Sequence, residues 1–446
     1  MRLRCTPMRT IPLYFVLGVV LAPVCSLSAF ANDASMFRGD PQHSGIYDAP
    51  GVPQYSRVKW KFHTKAGVMS SPAVVNGVLY VGSNDHYLYA IDAESGSEKW
   101  KFKTGSRVSS SPAVANGLVY FASFDGNFYA VDAATGAQKW KFQTDGERRY
   151  AGKHLHGFEP AGEVMPDPFD FFLSSPAVSD RTVFFGSGDG RVYALDAAGG
   201  SLKWKFQTGD VVHSSPAIAN GTIFVGSWDT YFYALDAATG KEKWRFKTGD
   251  DPQIHNQIGI QSSPLIANGT VYFGCRDSNL YALDETTGVK KWAYNNKGSW
   301  VIVSPVIKNG KLFFATSDSG LFHAVDAGTG KEIYSLSFIW PMFASPAIAG
   351  NMLYIGSEEG KLFAIDLTQQ KPAWTFQTDG SKENGAELTR PDGKPKYEAA
   401  FTDSFYDSAI VGVNKMLSMG MILSSPVVVG NTIYFGSTDG NIYALM

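Results

Sequence analysis

The dipeptide Ser-Pro recurs along the chain at Ser71, Ser111, Ser175, Ser215, Ser263, Ser304, Ser345 and Ser425, each time followed by Ala, Val or Leu. A repeat of this kind constrains the fold more than composition does, because each copy is one supersecondary unit that must bury its apolar face against its neighbours. The unit from Ser110 to Thr144 breaks into four short runs separated by turn residues. Its first turn is Asn-Gly, as at Asn76, Asn116, Asn220, Asn268 and Asn309, a pair that favours tight hairpins because both central positions need φ > 0. Its third is Asp-Ala-x-Thr-Gly or a variant, as at Asp132 to Gly136 and Asp236 to Gly240, where the aspartate side chain bonds its own turn. Four antiparallel strands in a unit of about 40 residues describe one blade of a β-propeller.

The two ends of the chain decide between a ring and an open solenoid. The last copy stops at Met446 without its fourth strand, and the missing text stands at the other terminus, where Val58 to Thr64 matches Lys99 to Thr104. Trp60, Trp100, Trp140, Trp204, Trp244, Trp292, Tyr334 (in place of Trp) and Trp374 then supply a fourth strand for every blade. A solenoid would need capping repeats and has no reason to split one unit between its termini. The expected fold is therefore all-β: an eight-bladed β-propeller with four antiparallel strands per blade, closed by pairing of the N- and C-terminal strands. An aromatic recurring once per blade is a packing device, and Tyr334 is expected to accept a tryptophan. The repeated aspartates at Asp92, Asp132, Asp196, Asp236, Asp284, Asp326 and Asp366 are explained by turn chemistry and form no catalytic carboxylate set.

On the repeated Ala-x-Asp, Thr-Gly and Lys-Trp-x-Phe text, and on the opening Met36-Phe37-Arg38-Gly39-Asp40, the chain resembles the quinoprotein-type propeller repeats over almost all of residues 36–446. That family includes pyrroloquinoline-quinone (PQQ) dehydrogenases and a non-enzymatic propeller lipoprotein of the outer-membrane β-barrel assembly machinery, and this chain is closer in size to the second branch. The resemblance implies that the repeated Trp lies on the outer strand and packs between neighbouring blades.

Residues 1–31 read as a secretory signal, with Arg2, Arg4 and Arg9, an apolar stretch from Ile11 to Leu21, and Ala29-Phe30-Ala31 as the cleavage site. Residues 32–446 are then expected as one propeller, periplasmic or secreted, and monomeric. Lipidation at Cys25 is the rival reading, disfavoured by Ala22-Pro23-Val24 before it. No later stretch is long and apolar enough to span a bilayer. Cys275 is the only cysteine beyond the signal, which excludes an intramolecular disulfide, a CxxCH haem site and a multi-cysteine zinc site. A formal net charge of −2 with no basic run offers no footprint for nucleic acid.

Variation between copies carries the functional information. Successive Ser-Pro spacings are 40, 64, 40, 48, 41, 41 and 80 residues, so insertions fall at 145–172, 250–261 and 379–422, each between a fourth strand and the next Ser-Pro. In an antiparallel blade that loop shares a face with the turn joining strands two and three, while the Asn-Gly and Thr-Gly turns occupy the opposite face. Binding residues concentrate on variable loops held by a rigid scaffold, so the insertion face around the central channel is the expected site.

The first insertion carries His154, His156 and Glu159, candidate metal ligands in a segment that otherwise reads as an ordinary solvated loop. His255 lies in the second insertion, and His213 starts an innermost strand. Trp228, Trp300 and Trp340 are off the repeat pattern and aimed at the same face, where they either floor a planar ligand, peptide or sugar or cork the channel mouth by packing. The third insertion, with a polar part (379–397) and an apolar part (398–422), is expected as a whole to lie over that face as a helical lid. The favoured function is an exported, non-catalytic scaffold that binds a protein partner or small ligand of the cell envelope through His213, Trp228, His255, Trp300 and Trp340, with no cofactor. The alternative is a PQQ- and calcium-dependent alcohol or sugar dehydrogenase, against which stand the lack of an adjacent Cys pair, of a Gly-x-Glu turn insertion and of an Asp-Leu-Asp segment.

Overall fold

The computed structural model describes residues 33–155, 162–249, 259–401 and 411–446. Blade 1 consists of Ala73–Val75, Val78–Gly82, Tyr87–Asp92 and Glu98–Lys103, counted outward from the channel. Blades 2 to 7 repeat this antiparallel order over residues 113–143, 177–207, 217–247, 265–295, 306–337 and 347–377. Blade 8 is composite. Val427–Val429, Thr432–Gly436 and Asn441–Leu445 receive Val58–His63 as their outer strand, with Trp60 opposite Ala444 and Phe62 opposite Ile442. The ring closes through its termini.

Local chemistry sets each turn. Asn76 and Gly77 have φ of 51° and 73°, the mirror-type turn whose twist matches the flanking strands. Asp132 Oδ1 accepts from both the amide and the hydroxyl of Thr135, each at 3.0 Å. On the insertion face another aspartate links blades: Asp125 accepts from Tyr129 Oη at 2.7 Å within its blade and from the Gly105 amide at 2.8 Å in the loop leading from the previous blade.

The fourth-strand tryptophans join neighbouring blades. Trp204 Nε1 donates to the Ala237 carbonyl of the next blade at 2.9 Å, and its ring lies so close to Gly240 that a Cβ there would come within 2.6 Å of it. The Gly of each Thr-Gly turn thus leaves room for a tryptophan as well as supplying φ > 0. At the one junction where Tyr334 replaces Trp, the facing turn position is Gln370, held at φ 55°. Ring and glycine vary together. Tyr334→Trp alone is therefore expected to clash with the Gln370 side chain, contrary to the sequence expectation, and Tyr334→Trp with Gln370→Gly to fold normally. Trp204→Ala should cost roughly 3–5 kcal/mol as a large-to-small change at a packed site; denaturant midpoints of these variants check both statements.

The Ser-Pro serines form a girdle around the channel. Ser71 N donates to Ser111 Oγ, Ser111 N to Ser175 Oγ, Ser175 N to Ser215 Oγ and Ser215 N to Ser263 Oγ, and the sequence resumes from Ser304 through Ser345 and Ser425 back to Ser71. Inside it lies a cavity of about 40 Å³, room for a few waters.

Residues 33–50 close the turn-face end of the channel. The amides of Val74, Val114, Ile218, Ile266 and Ile348, on innermost strands of five blades, donate to the carbonyls of Ala34, Ser35, Pro41, Gln42 and Gly45, and Ile46–Tyr47 adds a parallel fifth strand to blade 7. Arg38 anchors this plug. Fully buried, it donates to the carbonyls of His43, Pro346 and Pro305 at 3.0, 3.0 and 2.7 Å. Burial lowers its pKa only to about 10, so it keeps its charge at neutral pH.

Candidate functional site

In seven of the eight blades the turn between strands two and three has one position whose amide donates to a carbonyl of the loop entering its own blade: Asn84 to Gly67, Phe124 to Arg107, Trp228 to Val211, Arg276 to Gly259, Ser317 to Trp300, Glu358 to Pro341 and Thr438 to Met421. That backbone bond fixes the residue over the channel mouth while leaving its side chain free to vary. Gly188 fills the position in blade 3, and its lack of a Cβ admits Glu147 from the first insertion, whose Oε1 accepts from the Gly188 amide at 2.5 Å.

Two of the predicted residues meet here around one that sequence reasoning missed. The Arg276 guanidinium lies between the rings of Trp228 and Trp300, 4.2 and 4.4 Å from their centroids. It donates to Asp167 Oδ2 at 2.7 Å and to Gln261 Oε1 at 2.7 Å. Tyr150 stacks on Trp228 with 4.3 Å between centroids. His213, also in this mouth, reaches Asp170 Oδ1 at 2.8 Å through Nδ1 and Glu147 Oε1 at 3.1 Å through Nε2. Arg276 and Glu358 share the turn position of Trp228, so comparing that whole column of the repeat, rather than its aromatic member alone, is what would have found them.

Trp340 is 2 % exposed and lies with Trp300, Leu388, Met416, Met419 and Met421 in an apolar cluster at the mouth. The third insertion builds this lid with helix α1 (Asp379–Leu388) in its polar part, N-capped by Thr378, and helix α2 (Val413–Leu417) in its apolar part. His154 follows the short hairpin strand Ala151–Lys153 of the first insertion. His156, Glu159 and His255 lie outside the described residues. Among the described residues no group of three or more His, Cys, Asp or Glu is placed to hold a metal ion. Both ring nitrogens of His213 are already engaged by carboxylates.

Burial opposes a charge on His213, but Asp170 and Glu147 outweigh it and raise its pKa to about 10. Burial pushes Glu147 upward, against the pull of His213 and the Gly188 amide. A histidine with a raised folded-state pKa stabilises fully below its unfolded value near 6.5, and that contribution is lost as pH rises toward 10. Thermal unfolding followed across this window is expected to fall more steeply for the parent than for His213→Gln; parallel profiles would show that His213 is neutral in the fold.

PQQ is a planar quinone bearing three carboxylates, and a site for it needs a flat slot and unpaired cations. Here the slot between Trp228 and Trp300 is filled by Arg276, and both Arg276 and His213 are held by carboxylates, those of Asp167, Asp170 and Glu147. The residues present do not fit that group.

Three segments of the sequence, 52–161, 163–299 and 295–446, match the family model described as outer membrane protein assembly factor BamB. No curated protein matches the sequence. Among solved structures, BamB from Moraxella catarrhalis is similar at a TM-score of 0.62 and 15% identity, over 87% of this chain and 97% of that one. The quinohemoprotein alcohol dehydrogenase from Comamonas testosteroni gives 0.67 and 14%, over 93% and 80%. A europium-containing methanol dehydrogenase gives 0.66 and 15%, over 93% and 98%. At such identities the likeness is one of fold, shared by dehydrogenases and BamB alike. The family match spans the whole propeller, and the chain belongs to the family of the outer membrane protein assembly factor BamB.

Proposed function

We propose that this protein is a non-catalytic binding propeller, exported by residues 1–31, that docks a polypeptide partner of the cell envelope on the rim of its insertion face. The observation that carries this reading is the occupation of the mouth by the protein's own groups: Arg276 fills the aromatic slot, its charge is met by Asp167, and the channel beneath is reduced to about 40 Å³. A catalytic site needs a concavity that admits substrate and cofactor. What this face offers instead is relief, built by two large insertions on a scaffold whose opposite face is trimmed to tight turns. The family name, that of an outer membrane protein assembly factor, supports a role in handling other proteins, and no helix among the described residues is long and apolar enough to cross a membrane.

Purified mature protein mixed with PQQ and calcium is expected to retain no quinone absorbance after gel filtration and to oxidise neither alcohols nor sugars with an artificial electron acceptor. Retained quinone with turnover would replace the binding reading by the dehydrogenase one.

A further inference from the structure

Beside the Arg276 cluster lies a second cavity, of about 190 Å³, whose chemistry the docking reading does not use. Its walls are the aromatic rings of Phe169, Trp300, Phe343 and Tyr397, and two carboxylates, Asp318 and Glu358, enter it. Glu358 is 2 % exposed, and its Oε1 has no hydrogen-bond partner. An unpartnered carboxyl in an apolar cavity is costly to keep unless something satisfies it. Glu358 takes the variable turn position, where no other blade carries a carboxylate, while Asp318 belongs to the aspartate column that recurs as Asp125 and Asp277, in a blade 6 turn one residue longer than that of blade 5. Asp318 is fixed by the Trp300 amide and Ser317 Oγ, at 3.3 and 2.7 Å from its Oδ2. Tyr397, 42 % exposed, stands at the opening.

We propose that this cavity binds an organic cation, a primary alkylammonium group with a stem of about four carbons, its charge on Glu358 and Asp318 and its stem against the aromatic rings. Carboxylates supply charge-assisted hydrogen bonds to N–H donors, and ring faces attract the same charge. Trp300 already does so for Arg276. Burial and the neighbouring Asp318 raise the Glu358 pKa to about 8, the behaviour of a carboxyl lacking its counter-ion. The other titratable group in the walls is Tyr397, which brings no positive charge. The same ammonium chemistry belongs to a free amine and to a lysine side chain of a partner polypeptide, and the cavity stands whether or not the rim docks a protein.

The test is calorimetric titration of the full mature protein with butylammonium chloride, with butanol and butyrate as uncharged and anionic controls. Saturable binding of butylammonium alone is expected, with proton release near neutral pH as Glu358 ionises. Glu358→Gln, which keeps shape, should weaken it at least tenfold, and Asp318→Asn should weaken it less, both with unchanged far-UV spectra. An acetylated, amidated Ala-Lys-Ala peptide binding at least as tightly assigns the site to a lysine side chain; binding of the free amine alone assigns it to a small amine. Absence of saturable butylammonium binding, equal binding of butanol, or undiminished binding by Glu358→Gln overturns the proposal.

Discussion

A chain lacking residues 33–66 is expected to be produced as aggregate, with no cooperative unfolding transition in whatever fraction stays in solution. The deletion removes two structures at once. Without Val58–His63, the third strand of blade 8 presents Asn441–Leu445 as an open edge, and the neighbouring blade loses the Trp60 ring that packs on Gly96. Unpaired strand edges recruit other chains. Without the plug, the innermost amides of five blades lose their acceptors and the turn-face end of the channel is left uncovered. A soluble truncated protein that melts in one transition near the parent temperature would refute closure of the ring by its termini.

Arg276→Ala is the second change expected to have a large effect, on the order of 3–5 kcal/mol, because it takes the guanidinium away from the buried carboxylate of Asp167. Asp167 and Arg276 are both at most 2 % exposed, so neither can turn to water. The substitution also opens a gap between Trp228 and Trp300. Arg276→Lys should recover little, since a lysine ammonium cannot spread flat between two rings or present a planar fork to Gln261 and Asp167. Arg276→Ala with Asp167→Asn should recover part of the loss, as the buried charge is gone while the gap remains. Urea midpoints for the three proteins give the comparison, and an Arg276→Ala midpoint equal to the parent would show that the cluster contributes nothing to stability.

The ring was legible because it is written in short-range chemistry repeated many times. Asn-Gly fixes a hairpin, Asp with Thr fixes a turn, and the displaced Lys-Trp-x-Phe text at Trp60 reveals the split blade. The insertion face followed from counting strands, and His213, Trp228 and Trp300 do converge there. What the sequence did not disclose depends on contacts across the channel. The role of Arg38 rests on carbonyls of residues 305 and 346, which no local pattern announces. Arg276 pairs with Asp167, 109 residues away. Gln370 opposite Tyr334 was missed because ring and turn belong to different units of the repeat, so each unit read alone looks merely imperfect. The third insertion was read as a helical lid without saying where its helices fall; the longer one lies in the polar part, started by the Thr378 cap.

The most direct test of the binding face is photo-crosslinking in intact cells, with a photoreactive residue placed singly at Val164 or Val411 on the insertion face and at Glu94, Lys241 or Lys331 on the turn face. All five positions are exposed, so the comparison is between faces rather than between buried and accessible sites. Discrete higher-mass adducts from Val164 and Val411, with none from the three turn positions, are the predicted result. Adducts confined to Glu94, Lys241 or Lys331 would contradict the account and move the partner to the plugged end of the channel.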